Sequence, residues 1–319
     1  MIALPMALGY ALRRQVLRHH AHAEKAFRRW SSHFKLICIG VLLPPVAITA
    51  MIRNPLTGGH VVVLGGLGVV SLLAGAILGR AYISTQAMEP REAGAFLGCA
   101  AMTNLVSFGG LITFAFWGNA GLQQLHLFKL FEHVLYFGLF YPWCSTFSPD
   151  LKPEQTGIIQ SFRSHPITII PIAAVMMGLI ANFVVYHGFD MAGPPDWTQS
   201  INRVLVPVHA GLLTFSVGLT MSPSRVGRYW PQCGAIVFIG FIARPALAAA
   251  AAFGCLKAGL INDLAFRVTV LLSTMPVAFN ALVPPSIYHL DEDLANSCWI
   301  VTTALMIVVV PMLYFVLVS

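Results

Sequence analysis

The sequence predicts an all-α polytopic membrane protein with ten transmembrane helices, and three observations lead there. Of the 319 residues, 57% are hydrophobic and only 10% charged, where a soluble domain carries about 25% charged residues. So few charges cannot cover a water-facing surface of this size. Long apolar runs recur along the chain at regular intervals. One of them, STMPVAFNALVPPSIY from Ser273 to Tyr288, is broken by Pro276, Pro284 and Pro285. A helix meeting three prolines cannot keep its hydrogen-bond ladder, and non-helical backbone at membrane depth is tolerated only where protein buries it or a wet cavity borders it. That stretch is therefore a candidate binding site.

Met1 to Leu12 is apolar, short, and contains Pro5 and Gly9. A full span needs about 20 residues, so this run is a broken first helix or one that starts further upstream. Its charges follow the apolar stretch and no small-residue cleavage site appears, which argues against a cleavable signal. Residues 13–35, RRQVLRHHAHAEKAFRRWSSHFK, form the most basic connection. His19, His20 and His22 lie there among arginines that repel cations, so a solvated loop beside lipid headgroups is expected, not a metal site. The next runs are Leu36 to Ile52, Val61 to Ile83, Ala93 to Trp117, Leu125 to Cys144, Ile167 to Tyr186, Val204 to Met221, Cys233 to Leu256, Leu264 to Tyr288 and Leu294 to Val318. Ten spans of about 21 residues use roughly 210 positions, and no loop is then long enough for a separate domain. Residues 1–319 form one transmembrane unit.

Lys and Arg distribution sets the orientation. The odd-numbered connections carry Arg13, Arg14, Arg18, Lys25, Arg28, Arg29, Lys35, Arg80, Arg91, Lys152, Arg163, Arg225 and Arg228, thirteen in all. The even-numbered ones carry four: Arg53, Arg203, Lys257 and Arg267. The positive-inside rule puts the odd loops in the cytoplasm and both termini outside. The net charge of +7 is thus explained by orientation, and nucleic acid is not an expected partner. Ten spans with both ends on one side allow two inverted five-helix repeats, 1–150 and 160–319, as in many secondary transporters. Early prolines open both halves, Pro5 in one and Pro166 with Pro171 in the other, and the fourth span of each carries an asparagine, Asn104 and Asn280.

Span four holds Thr103, Asn104 and Ser107 followed by Gly109 and Gly110. A glycine pair among polar side chains can open a helix and free N–H groups for an anion; helix packing through small residues is the other reading. Lys129 and Glu132, spaced i, i+3 in span five, read as a structural ion pair near the end of their span. Arg244 in span eight has no carboxylate near it in sequence, and either holds a carboxylate substrate or pairs with backbone carbonyls near the broken spans. His209 reads as a satisfied core histidine. The six cysteines have no paired spacing and read as small buried hydrophobes. No phosphate-binding glycine loop, HExxH or GxSxG motif occurs. No enzyme activity, cofactor or metal is expected.

Residues 273 to 317, with the Ser273 to Pro276 entry, the short segment ending in Tyr288, the Leu290 to Asp293 turn and a last span holding Thr302, Leu305 and Pro311, resemble the closing region of the auxin efflux carrier family. Further matches are LPMALGYALRR at Leu4 to Arg14, LLPPVAI at Leu42 to Ile48, Asn104 to Gly110, Trp117 to Gly121, and FIARPAL at Phe241 to Leu247. The resemblance implies two inverted repeats whose broken fourth and ninth helices cross at the centre. It also implies a likeness in fold to the bile acid:sodium symporters, where spans one, two, six and seven support a moving domain made from the rest. Members carry organic anions, auxin in plants and dicarboxylates such as malonate or malate in bacteria. One departure stands out: the family's proline after the span-four glycines is replaced here by Leu111 and Ile112.

The expected function is secondary transport of a small organic anion, a carboxylate, across the bacterial inner membrane. The candidate substrate-binding residues are Thr103, Asn104, Gly109, Gly110, Ser273, Thr274, Pro276, Asn280 and Arg244. The expected partners are the anion and the lipid bilayer, with a homodimer and coupling to H+ or Na+ left open. The alternatives are a non-transporting sensor or scaffold that keeps the fold, and a sodium-coupled symporter of bile-acid-like anions.

Overall fold

A computed structural model describes residues 3–19, 24–52, 59–152, 169–188, 196–220 and 223–318. His20, His22, Arg53, Arg163 and Pro166 fall outside them. Among the described residues there is no strand, and one isolated β-bridge joins Thr103 to Val277. Five helices are long and apolar enough to cross a membrane: Glu24–Thr49, Val61–Thr85, Ser200–Thr220, Val226–Lys257 and Glu292–Leu317. The remaining apolar runs are occupied by shorter pieces, among them Ala3–His19, Pro90–Ala101, Gly110–Phe128, Ile169–Phe183 and Asp263–Ser273. The protein is a helical membrane protein.

The chain folds as two compact units, Met1–Leu56 with Gly157–Ser222 and Thr57–Thr156 with Pro223–Ser319. The first gathers the first, second, sixth and seventh apolar runs, and the second gathers the other six. In the first unit Ala3–His19 packs along Asp196–Thr220. Gly9 and Gly218 set their spacing, since a Cβ on either would strike backbone of the facing helix. Ile169–Phe183 packs on Leu43–Ile52, and the Ser31 hydroxyl donates to the Ser216 carbonyl at 2.8 Å.

The basic connection is mostly helical where the sequence suggests a solvated loop. Ala3–His19 runs past Arg13, Arg14 and Arg18, and Glu24–Ile37 buries Phe27, Ser31 and Lys35. Those three are four residues apart and share one helix face. Glu24 sits in the first turn, where its charge suits the positive end of the helix. It pairs with Arg28 at 3.3 Å and Arg13 at 3.9 Å. Amphipathic periodicity thus overrides the charge density that makes the stretch look like a loop.

The second unit is built around Gly59–Thr85, which packs on Pro90–Ala101, Gly110–Phe128, Arg244–Lys257 and Asp263–Ser273. Its glycines make this crowding feasible. A Cβ at Gly68 would meet the Phe128 carbonyl oxygen, and one at Gly75 the Ala100 carbonyl oxygen. Asn262 caps Asp263–Ser273 by accepting the Ala265 N–H at 2.8 Å, and Asp291 caps Glu292–Leu317 by accepting from Leu294 at 2.9 Å. Such caps satisfy backbone donors that the helix cannot.

Five π-helical turns adjoin the described α-helices: Cys38–Leu42, Leu105–Gly109, Tyr136–Phe140, Val184–Gly188 and Ile239–Ala243. The first, third and fifth end two residues before Pro44, Pro142 and Pro245. In each of these the residue just before the proline donates five residues back, Leu43 to Cys38, Tyr141 to Tyr136 and Arg244 to Ile239. A proline lacks the N–H for the usual four-residue bond and its ring crowds that carbonyl. One extra residue per turn relieves both problems while the helix continues.

Gly68→Ala should lower the apparent melting temperature in detergent by several degrees, because the methyl must displace the Phe128 backbone. In the same helix Gly66→Ala meets nothing within 4 Å and should be neutral or stabilising, since Ala gains about 0.5–1 kcal/mol over Gly in a helix interior. Equal melting of the two variants would contradict the packing described.

Candidate functional site

Two helices of the second unit stop and resume inside it, and their interruptions meet. Asp263–Ser273 ends because Pro276 offers no N–H and disfavours helical backbone in the residue before it. The chain runs on through Val277 to Phe279–Leu282 and Val283–Ile287, with Pro284 and Pro285 near the start of the latter. Pro90–Ala101 ends at Met102, whose backbone is extended (φ −104°, ψ 127°), and helical structure resumes at Leu105. No proline enforces this second interruption.

The two extended stretches pair as a minimal antiparallel ladder. The Asn104 N–H donates to the Pro276 carbonyl at 2.8 Å and the Ala278 N–H to the Met102 carbonyl at 3.0 Å, on either side of the Thr103 and Val277 pair. The outward-facing groups of that pair find side chains. The Tyr136 hydroxyl accepts from the Thr103 N–H and donates to the Thr103 carbonyl, both at 2.8 Å, and the Thr302 hydroxyl accepts the Val277 N–H at 3.3 Å. Tyr141 donates to the Asn280 carbonyl at 2.9 Å.

Arg244 completes the arrangement. It is 2% exposed, and its guanidinium donates to the carbonyls of Ser273 (2.8 Å), Met275 (3.0 Å), Gly240 (3.3 Å) and Ala100 (3.4 Å). Four of its five N–H groups are thereby used, three of them on carbonyls at the ends of the two interrupted helices. Those carbonyls are the ones a helix end leaves without an internal partner, and they carry the negative end of the helix dipole. Of the two roles open from the sequence, the geometry displays pairing with backbone carbonyls. Among the described residues no carboxylate forms an ion pair with Arg244.

Most of the sequence-predicted residues gather here. Thr103 and Asn104 are 1% and 5% exposed, and Ser273 and Thr274 are buried with their hydroxyls donating to the Val270 carbonyl at 2.9 and 2.8 Å. Pro276 is in the ladder, and Asn280 is half-buried three residues beyond Val277. Gly109 and Gly110 do not open the helix. Gly109 has helical backbone (φ −57°, ψ −46°), and the interruption lies at 102–104. Gly109 is needed for space, because a Cβ would lie 2.9 Å from Leu272 Cδ2. Within Gly110–Phe128 the non-helical backbone is at Gly118, with φ 59°.

Tyr136 and Tyr141 carry no signal in the sequence that would mark them for this site. Residues five apart lie about 140° apart around an α-helix, so the pair shows no common face. The π turn Tyr136–Phe140 stacks them, and each reaches one interruption. Lys129 and Glu132, 3.7 Å apart and about 4% exposed, are far more buried than a pair that snorkels to the surface.

Beside the ladder lies a cavity of about 10 Å³ bordered by Ala100, Gly240, Arg244, Met275, Pro276 and Thr302, among others. That is room for about one water.

No family model matches the chain. It is 26% identical over 219 residues, 66% of this chain and 69% of the relative, to an uncharacterized transporter of Methanocaldococcus jannaschii. It is 24% identical over 286 residues, 88% of this chain and 87% of the relative, to an uncharacterized transporter of Methanothermobacter thermautotrophicus. These likenesses, with the apolar helices, support a transporter role.

Arg244→Met should leave four buried carbonyls without their donor and cost at least about 3 kcal/mol, read as a large fall in melting temperature in detergent. Arg244→Lys should recover only part of it, since a point charge cannot span the four acceptors. A wild-type melt for the Met variant would show that the carbonyls do not depend on Arg244.

Proposed function

We propose that the protein is a secondary transporter of a small organic anion, a carboxylate, and a relative of the auxin efflux carriers. In this reading it has ten spans in two inverted five-helix repeats, with both termini outside the bacterial inner membrane. The observation that carries it is the meeting of two interrupted helices at Thr103 and Val277. Secondary transporters place substrate at broken helices near the bilayer midplane, and irregular backbone at that depth is tolerated only where protein buries it or it lines a wet cavity. The charge of Arg244, with no carboxylate ion pair among the described residues, favours an anion as the substrate.

The one-water cavity cannot admit an organic acid while the surroundings keep this arrangement. Alternating access requires such a change: the unit carrying both interruptions moves, and the other, made from the first, second, sixth and seventh runs, stays fixed. Asn104 and Asn280 orient the ligand from the two interruptions, and Thr103, Ser273 and Thr274 supply further polar groups. The relatives' names support the transporter class; the anion comes from the site's charge and from the resemblance in sequence.

Asn104→Ala combined with Asn280→Ala should abolish uptake of radiolabelled malonate or malate into proteoliposomes while expression and melting stay near wild type. Undiminished uptake by that double variant would remove the two amides from the site. In a melting screen of the purified protein against mono- and dicarboxylates, a selective ligand at a hundredfold its Kd should add about 2.7 kcal/mol of apparent stability.

A further inference from the structure

Lys129 and Glu132 are buried ionisable groups that the substrate site does not use. We propose that Glu132 is a proton-binding site whose protonation is passed to the first helix interruption through Tyr136, so that anion binding and proton binding are coupled. This deepens the transporter reading and rests on it for its role in transport.

The argument starts from one hydrogen. The Tyr136 hydroxyl has a single hydrogen to donate and two acceptors to choose between: the Thr103 carbonyl at 2.8 Å and the carboxyl of Glu132, one helical turn before it in the same segment. When Glu132 is protonated, its O–H donates to the tyrosine oxygen and the tyrosine hydrogen goes to Thr103. When the proton leaves to bulk water, the carboxylate is the stronger acceptor and draws the tyrosine hydrogen to itself. The Thr103 carbonyl then goes from two donors to one, keeping only the Leu105 N–H at 2.9 Å. Protonation of Glu132 therefore changes the hydrogen bonding of the residue at the centre of the ladder.

Charge accounting links the proton to an anion. The pair Lys129 and Glu132, 3.7 Å apart and about 4% exposed, is neutral as a salt bridge. Adding a proton to Glu132 leaves the Lys129 ammonium without its counter-charge in a buried place, which is expensive. A monoanion arriving at the same time restores neutrality. One proton and one carboxylate monoanion moving together leave the buried charge unchanged, whereas either alone does not.

The groups around Glu132 fit this reading. Its own segment contributes Lys129, His133 and Tyr136, and the helix Arg244–Lys257 contributes Arg244, whose charge acts on Tyr136. The helix Gly59–Thr85, packed on Phe128 and Phe131, carries His60, Arg80 and Tyr82, and Tyr82 is stacked on Phe96. The ladder segment itself, Met102 to Asn104, has no titratable side chain.

Infrared difference spectra between acidic and alkaline buffer, taken on the protein in lipid nanodiscs with carbonyl-labelled threonine, test the coupling without any substrate. Thr103→Ser removes the label at that position and so identifies its amide band. The expected result is a carboxylic-acid band that titrates, is lost in Glu132→Gln and shifts in frequency in Glu132→Asp, with the Thr103 band moving at the same midpoint. In Tyr136→Phe the carboxyl should still titrate while the Thr103 band no longer follows. A Thr103 band that stays fixed across the wild-type titration overturns the proposal, even if Glu132→Gln fails to fold. So does the absence of any carboxyl band that depends on Glu132. In proteoliposomes loaded with a pH dye and held at an external pH acidic enough for malonate to be its monoanion, external malonate should acidify the lumen in wild type and not in Glu132→Gln. Coupled spectra without malonate or malate transport would count against the carboxylate-transporter reading alone; malonate uptake without lumenal acidification would overturn proton coupling.

Discussion

The second unit depends on how the backbone groups at two interrupted helices are satisfied. Both interruptions are buried in the protein, so each N–H and C=O they release must find a partner within it or forfeit several kcal/mol. The solution has three parts: the two stretches bond to each other, Tyr136 and Thr302 take the groups that face outward, and Arg244 collects the carbonyls at the helix ends. A single cation spread over four carbonyls does what an ion pair would otherwise do, without a second buried charge to desolvate. The small residues of Gly59–Thr85 follow from this, because Gly75 lets that helix approach the Ala100 carbonyl and the Arg244 stem together.

That bonding also constrains motion. Arg244 holds both helix ends at once, and the ladder holds the extended stretches. Pulling the interruptions apart would break both ladder bonds and part of the guanidinium's set, in a buried place. Any rearrangement that admits a substrate is cheaper if the two interruptions travel as one body and the change occurs at their borders.

Much of this is legible in the sequence. Composition and run spacing give the helical membrane class, and three prolines in Ser273 to Tyr288 locate one interruption because proline acts locally. For the other, the sequence points too far along the chain, to Gly109 and Gly110, since nothing local enforces it: Met102 to Asn104 are extended because the partner stretch supplies their hydrogen bonds. Residues 13–35 mislead for a related reason, as their charge density hides a buried stripe of Phe27, Ser31 and Lys35. Tyr136 and Tyr141 stay invisible because the face of a helix is read at 3.6 residues per turn, and here the turn between them is wider.

The wide turns carry a further consequence for how this chain tolerates insertion and deletion. Ile239–Ala243 holds one residue more than an α-helical turn would, and Arg244 is the next residue. Shortening that turn by one residue would rotate everything beyond it by about 100°, swinging the guanidinium away from both helix ends while every side chain in the helix kept its identity. The aim of the arginine is thus stored in the length of the segment before it, and Pro245, which makes the wide turn favourable, guards that length.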